Sequence, residues 1–224
     1  RWRTNQVLAA QYEMMTDMLD RLVAPRVKNA RSVIEAGPGP GTWTTLLLSA
    51  NGTASYTLVD ISREMLTQAR QRLAGRTNVS FAESDLTSFE TPQPFDFFFS
   101  SRAIEYMPDK RKACKKISDL LAPGARGAIV TKMPKPLFDR LRGRSVPALH
   151  SAQITPRILI RLLGESGLAV EGIHIATATV PLLRSASLNM LAYRLLKRLP
   201  LFPPLSLLAE SYIVTFRKPV WKPV

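Results

Sequence analysis

The sequence predicts an α/β fold, a mostly parallel sheet with helices on both faces. Three observations carry this. Short β-rich apolar runs alternate with helix-periodic segments. One run, Phe95-Asp96-Phe97-Phe98-Phe99-Ser100, is nearly all apolar, as a strand covered on both faces must be. Acidic residues also stand at the ends of successive strands, where open parallel sheets bind ligands.

The expected strands are Ser32–Glu35, Tyr56–Asp60, Val79–Ala82, Phe95–Ser100, Gly127–Thr131, Leu168 to about Ile175, and Ser211–Phe216. Helices fill the gaps. An amphipathic helix is expected up to about residue 23. Ser62 suits an N-cap for Arg63–Leu73, which places Met65, Leu66, Ala69 and Leu73 on one face. Asp109–Leu121 forms another helix, ended by Pro123-Gly124. Thr155 caps a third, with Pro156 at its first position, and Gly167 turns the chain out of it. Residues 177–209, rich in Leu, Pro and Arg, are expected to be irregular, a cap or insertion on a single 1–224 domain.

Size and composition set outer limits. A chain of 224 residues buries enough surface to need no disulfide or metal staple. The lone Cys114 cannot form an internal disulfide, which suits the cytoplasm or another reducing compartment. No apolar run reaches the ~18–20 residues of a membrane span, so a peripheral membrane position is the most that is expected. The first residue is Arg1, so the true start is expected to be missing. Thirty-one Lys and Arg against seventeen Asp and Glu give a net charge of +14, which favours an anionic partner: nucleic acid, anionic lipid or an anionic substrate.

The chemistry centres on Glu35-Ala36-Gly37-Pro38-Gly39-Pro40-Gly41, a glycine turn between a strand and a helix. Glycines there allow positive φ and close backbone approach to a ligand. A dinucleotide fingerprint would need a glycine at Thr42, and a phosphate-binding Walker loop would need a following lysine. Neither is present. Asp60 ends the second strand 19 positions after Gly41, where a carboxylate can accept both ribose hydroxyls of a nucleoside. Asp85 stands just after the third strand.

With these residues, Glu35-x-Gly37-x-Gly39-x-Gly41 followed by Val59-Asp60-Ile61-Ser62-x-x-Met65-Leu66-x-x-Ala69, the chain resembles the class I S-adenosylmethionine-dependent methyltransferases, in particular their small-molecule branch. The resemblance runs from about Val33 to Leu168 and includes the last strand. It implies a Rossmann-like, mostly parallel seven-stranded sheet with its last strand antiparallel. It also implies S-adenosylmethionine as cofactor and S-adenosylhomocysteine as product. By the same resemblance Ile61 packs on adenine, with Met65 in the same motif. Asp85 meets the adenine amino group, with Leu86 beside it. Ser101 and Arg102 line the cofactor floor, and Tyr12 in the N-terminal helix contacts the cofactor.

Methyl transfer from a sulfonium depends mainly on alignment, and a base is needed only where the acceptor must lose a proton. His150 and Glu105 are the candidate bases; His174, inside a strand, has a core or surface role. Many small-molecule members carry a histidine near Glu105, and this chain does not. Lys132, Lys135, Arg140, Arg142 and Arg144 make the segment after the fifth strand basic and favour a phosphate- or carboxylate-bearing acceptor. The stretch from Leu182 to Phe202 mixes leucines with Arg and Lys and suits an apolar pocket cap or an anionic membrane surface. The leading expectation is a methyltransferase acting on a small or lipid-like acceptor, an anionic one among the options. The alternatives are an RNA methyltransferase, which lacks an Asn-Pro-Pro-Tyr-type sequence here, and a methyltransferase-like assembly subunit without catalysis.

Overall fold

The computed structural model describes residues 5–134, 153–180, 185–201 and 206–220. Seven strands form one sheet in the order β3-β2-β1-β4-β5-β7-β6. They are β1 (Ser32–Ala36), β2 (Ser55–Asp60), β3 (Val79–Glu83), β4 (Phe95–Ser101), β5 (Leu121–Lys132), β6 (Ala169–Ala178) and β7 (Ala209–Arg217). β1 pairs in parallel with β2 and β4, and β7 runs antiparallel to both β5 and β6. The expected Rossmann-like sheet, antiparallel at its last strand, is therefore present.

Helices lie on both faces: α1 (Gln6–Met18), α2 (Ala24–Val27), α3 (Thr42–Ala50), α4 (Arg63–Arg72), α5 (Lys110–Leu120), α6 (Pro156–Glu165) and α7 (Ala186–Leu196). Side-chain oxygens cap most of them. Asn5 accepts from the Val7 and Leu8 amides, Ser62 from Met65, Asp109 from Lys112, Thr155 from Ile158, and Ser185 from Leu188. Each cap satisfies amides that the first helical turn leaves unpaired.

The alternation of β4 explains its all-apolar run. Phe98 packs in one layer with Cys114 and Ile117 of α5 and Leu159 and Leu163 of α6. Phe97 and Phe99 face the opposite layer, with Leu47 and Leu48 of α3 and Met15 and Met18 of α1. All three phenylalanines are fully buried, each stabilising the fold by roughly 1.5–3 kcal/mol relative to exposure.

Three expectations are corrected. β5 begins at Leu121, not Gly127. Leu121 pairs with Phe95, and a register shift between Phe95 and Phe97 absorbs the irregular Pro123-Gly124 pair, where Gly124 takes φ +83°. Residues 177–209 are not uniformly irregular. β6 runs on to Ala178, and α7 occupies the proline-free interval between Pro181 and Pro200 behind its Ser185 cap. The N-terminal helix also continues past residue 23, through a π-helical turn at Leu19–Val23 into α2, whose Pro25 sits in the first turn, where it costs no hydrogen bond.

The order of β1 to β4 positions the site. β2 and β3 lie on one side of β1 and β4 on the other. The connections leaving β1 and β4 therefore diverge, which opens a crevice at the carboxyl ends of the strands.

Candidate functional site

The glycine turn fills the floor of that crevice. Gly37, Gly39 and Gly41 have φ of +67°, +54° and +74°. A side chain at Gly37 would drive its Cβ into the Ala103 Cβ, so the turn and the loop after β4 touch through a glycine that nothing larger can replace. A Cβ at Gly39 would meet no protein atom within 4 Å, because this glycine borders open space. The Gly37 amide donates to the Val59 carbonyl at 2.8 Å, which stitches the turn to β2.

Asp60 holds the other side. Its Oδ2 accepts from the Gly39 amide at 3.2 Å and its Oδ1 from the Ser62 amide at 2.9 Å. The carboxylate is thus fixed between the glycine turn and the start of α4. Ile61 beside it is 72% exposed, a large apolar side chain standing uncovered at the rim. Asp85 caps a short 3₁₀ turn, accepting from the Thr87 amide at 2.6 Å. Hydrogen bonds from Thr87 hold its carboxyl below the usual carboxylate range, against a smaller opposing effect of burial.

These groups line one cavity of about 500 Å³, bounded by Gly37, Gly39, Asp60, Ile61, Asp85 and Leu86 on one side and by Ser101, Arg102, Tyr106 and Met107 on the other. A second cavity, of about 420 Å³, is lined by Gln11, Tyr12 and Met15 of α1, by Trp43, Val130 and Lys132, and by Thr177, Glu210 and Ser211 of β6 and β7. The two share a wall made of Ser101 and Arg102.

That wall is tightly built. Arg102 has φ +64°, the only non-glycine with positive φ among the described residues. Its amide donates to the Val130 carbonyl at 2.9 Å and its Nε to Glu105 Oε1 at 2.9 Å. Glu105 Oε2 accepts from the Thr131 hydroxyl at 2.9 Å and the Lys132 amide at 3.0 Å. Burial alone would raise the Glu105 carboxyl, but the Arg102 guanidinium and these donors outweigh it and hold the carboxyl below its ordinary value. Glu105 thus ties the loop after β4 to the end of β5 and has no exposed surface. The Ser101 hydroxyl is buried and has no partner among the described residues.

Glu35 lies beneath the turn rather than in its wall. It is 1% exposed, and its Oε2 accepts from the Thr44 hydroxyl at 2.7 Å. Burial pushes its carboxyl up to about 7; the Thr44 hydrogen bond opposes this and the Asp60 charge adds to it.

The structure therefore brings together at the crevice Gly37, Gly39, Asp60, Ile61, Asp85, Leu86, Ser101 and Arg102, with Tyr12 across the shared wall. Gly41 is set back as the left-handed N-cap of α3, and Met65, on α4, lines neither cavity. His174 sits in β6, with its Nδ1 buried and unpartnered among the described residues. His150, Lys135, Asp139, Arg140, Arg142 and Arg144 lie outside the described residues, as do Leu182, Leu183, Arg184 and Phe202. Sequence reasoning missed Trp43, whose ring stacks on Tyr12 at 5.1 Å between centroids. It also missed the contributions of Thr177, Glu210 and Ser211. Trp43 carried a usable signal, an aromatic two residues past the last glycine of the turn. The others carried none.

A family model described as a methyltransferase domain matches residues 33–124. The trans-aconitate 2-methyltransferase of Rhizobium leguminosarum bv. trifolii is 29% identical over 138 residues, 62% of this chain and 52% of that protein. Residues 33–124 thus match a methyltransferase domain, and the chain is similar in sequence to methyltransferases. It spans about half the length of the curated relatives it matches. In overall structure it is similar to the N-methyltransferase NodS of Bradyrhizobium japonicum, with a TM-score of 0.64 at 18% identity, covering 94% of this chain and 97% of NodS. A NodS complex with S-adenosylhomocysteine is similar at a TM-score of 0.58, with 18% identity and coverage of 96% and 99%. S-adenosylmethionine is the methyl donor that the sequence resemblance implies. Three features of the first cavity fit that molecule: the open space over Gly39, the two strand-end carboxylates, and the uncovered Ile61 side chain. Among the described residues, no helix is long and apolar enough to cross a membrane.

Proposed function

We propose that this methyltransferase holds S-adenosylmethionine in the first cavity and methylates a small, carboxylate-bearing acceptor in the second. The observation that carries this reading is the shared wall. Two cavities meet at Ser101 and Arg102, and the second is lined by two cationic side chains, Arg102 and Lys132, against one acid, Glu210, beside the Tyr12–Trp43 stack.

In this reading Asp60 receives the ribose hydroxyls, Ile61 and Leu86 sandwich the adenine, and Asp85 accepts from its amino group. The glycine turn lets the backbone approach the methionine portion, with Glu35 and Thr44 bracing it from below. When bound, the cofactor supplies a methyl group already activated on a sulfonium. Arg102 and Lys132 orient the acceptor by charge-assisted hydrogen bonds, and Tyr12 with Trp43 closes the apolar side against water. Carboxylates are ionised at neutral pH, so such an acceptor needs no proton removed and the chain's task is alignment. His150 is then not required as a base. Glu105, with both carboxylate oxygens engaged, is a positioning residue for Arg102. The relatives' name supports the same charge class, because trans-aconitate is a carboxylate-rich small molecule.

The test is turnover with S-adenosylmethionine against a panel of small di- and tricarboxylates, their neutral amides, and RNA. Carboxylates are expected to be methylated and their amides not. Lys132→Met should raise the acceptor KM about tenfold and leave S-adenosylhomocysteine affinity unchanged. Methylation of RNA alone, or equal turnover of acid and amide, would overturn the reading. S-adenosylhomocysteine binding with no turnover of any acceptor would instead favour a subunit without catalysis.

A further inference from the structure

Helix α7 carries a row of exposed leucines opposite the face that it buries. Helices on a globular domain bury their apolar stripe and present polar residues to water. On α7 the fully buried positions are Asn189 and Tyr193, and Ala186, Met190, Ala192 and Leu196 pack half-buried against the core. Asn189 Oδ1 accepts from the Val180 amide at 2.7 Å. The Tyr193 hydroxyl donates to Asp17 Oδ2 at 2.7 Å, and Lys197 just past the helix donates to Asp17 Oδ1 at 2.6 Å. The helix is therefore held by this apolar packing and by polar contacts to α1.

Its outer face carries leucines. Leu188, Leu191, Leu195 and Leu199 are 41, 53, 69 and 44% exposed. Their spacing of three, four and four residues lines them up along one side of the helix and the turn that follows. Arg194 and Arg198 are both exposed and flank the same stripe. Arg194 meets Glu13 only at 3.8 Å, between two side chains each 66% exposed, and such a pair holds its partner weakly.

We propose that this face docks on an anionic lipid bilayer. An exposed leucine row edged by arginines suits the boundary between acyl chains and headgroups, where the leucines sink in and the guanidiniums meet phosphate. A second copy of the chain is a poorer occupant, because each carries a net charge of +14 and the pair would repel. RNA is poorer too, because leucines offer bases no aromatic platform. The inference does not depend on which acceptor is methylated.

The test is co-sedimentation of the purified chain with phosphatidylcholine vesicles and with vesicles that also contain phosphatidylglycerol. Binding to the anionic vesicles is expected to be at least about tenfold tighter and to weaken as salt rises. L191S/L195S, at exposed positions, should lower it about tenfold or more while the circular dichroism melt stays unchanged. R194Q/R198Q should lower it by roughly fivefold per arginine and flatten its salt dependence. Three results would each overturn the proposal. One is no binding of the unaltered chain to anionic vesicles, and another is equal binding by L191S/L195S. The third is a dimer in light scattering, or an RNA complex, that L191S/L195S abolishes while vesicle binding is unaffected.

Discussion

Replacing Glu35 by glutamine separates the cost of a buried charge from the rest of the site. The Glu35 carboxyl is 1% exposed and sits at about 7, well above the ordinary 4.5. An acid raised in the folded state binds more protons folded than unfolded between those two values. Its contribution to stability is therefore present at low pH and is lost as pH rises from about 4.5 through about 7. That gap corresponds to about 3 kcal/mol. Glutamine keeps an oxygen for the Thr44 hydroxyl and carries no charge. The difference in unfolding free energy between Glu35→Gln and the unaltered chain should then grow from near zero at pH 4.5 to about 3 kcal/mol at pH 8 in favour of the variant, or about 1 M or more in urea midpoint. Urea unfolding of the ligand-free protein at closely spaced pH values measures it. His174, lowered first by burial, contributes in the opposite sense over part of this range, but it is common to both proteins and cancels in the difference. A difference that is flat with pH would refute the reasoning, and would mean that water or a cation relieves the buried carboxylate.

Asp60→Ala removes the acceptor for the Gly39 and Ser62 amides and is expected to weaken S-adenosylhomocysteine binding more than tenfold by calorimetry; unchanged affinity would remove the ribose assignment. Gly37→Ala must hold a left-handed φ and displace Ala103, so a loss of about 2 kcal/mol or more, a lowered melting temperature and lost ligand binding are expected together. Glu105→Gln leaves Arg102 without its charge partner and should cost about 1–2 kcal/mol, a figure reduced because Arg102 is partly exposed. The Glu105 carboxyl is held low, so its stabilisation is present above the ordinary glutamate range and lost as pH falls below it; the variant should show a shallower acid-side loss.

The cofactor side of the crevice was legible because its parts are local. A glycine turn and an acid at each strand end are read in a few consecutive residues, and the structure gathers Gly37, Gly39, Asp60, Ile61, Asp85 and Leu86 around one cavity. Met65 was assigned by motif alone, and it borders neither cavity. The second cavity was not legible. It joins α1, the end of β5 and residues of β6 and β7, and only the order β5-β7-β6 and its antiparallel register bring these together. No sequence period encodes that register. Helix α7 was missed for a related reason. Leucines stand on its exposed side as well as at the half-buried Leu196, while its fully buried positions are Asn189 and Tyr193, so no single apolar stripe marks its buried face.

The wall between the cavities shows why a positive-φ arginine is worth its strain. A non-glycine residue in the left-handed region costs roughly 1 kcal/mol, and Arg102 recovers this through its own amide, its Nε bond to Glu105, and the bonds from Glu105 to Thr131 and Lys132. A glycine would adopt the φ without cost but would leave Glu105 buried and without its cation. A lysine would supply charge without the fixed geometry of a guanidinium. Arginine alone lets one residue reach the acid beneath the wall while its side chain still borders both cavities. On the proposed reading this couples the two halves of the reaction. Whatever seats Arg102 on Glu105 also sets the cation against which the acceptor aligns, so Arg102→Lys should raise the acceptor KM and lower kcat together, whereas Lys132→Met should change KM alone. Equal, KM-only effects from both substitutions would mean that Arg102 contributes charge and not alignment.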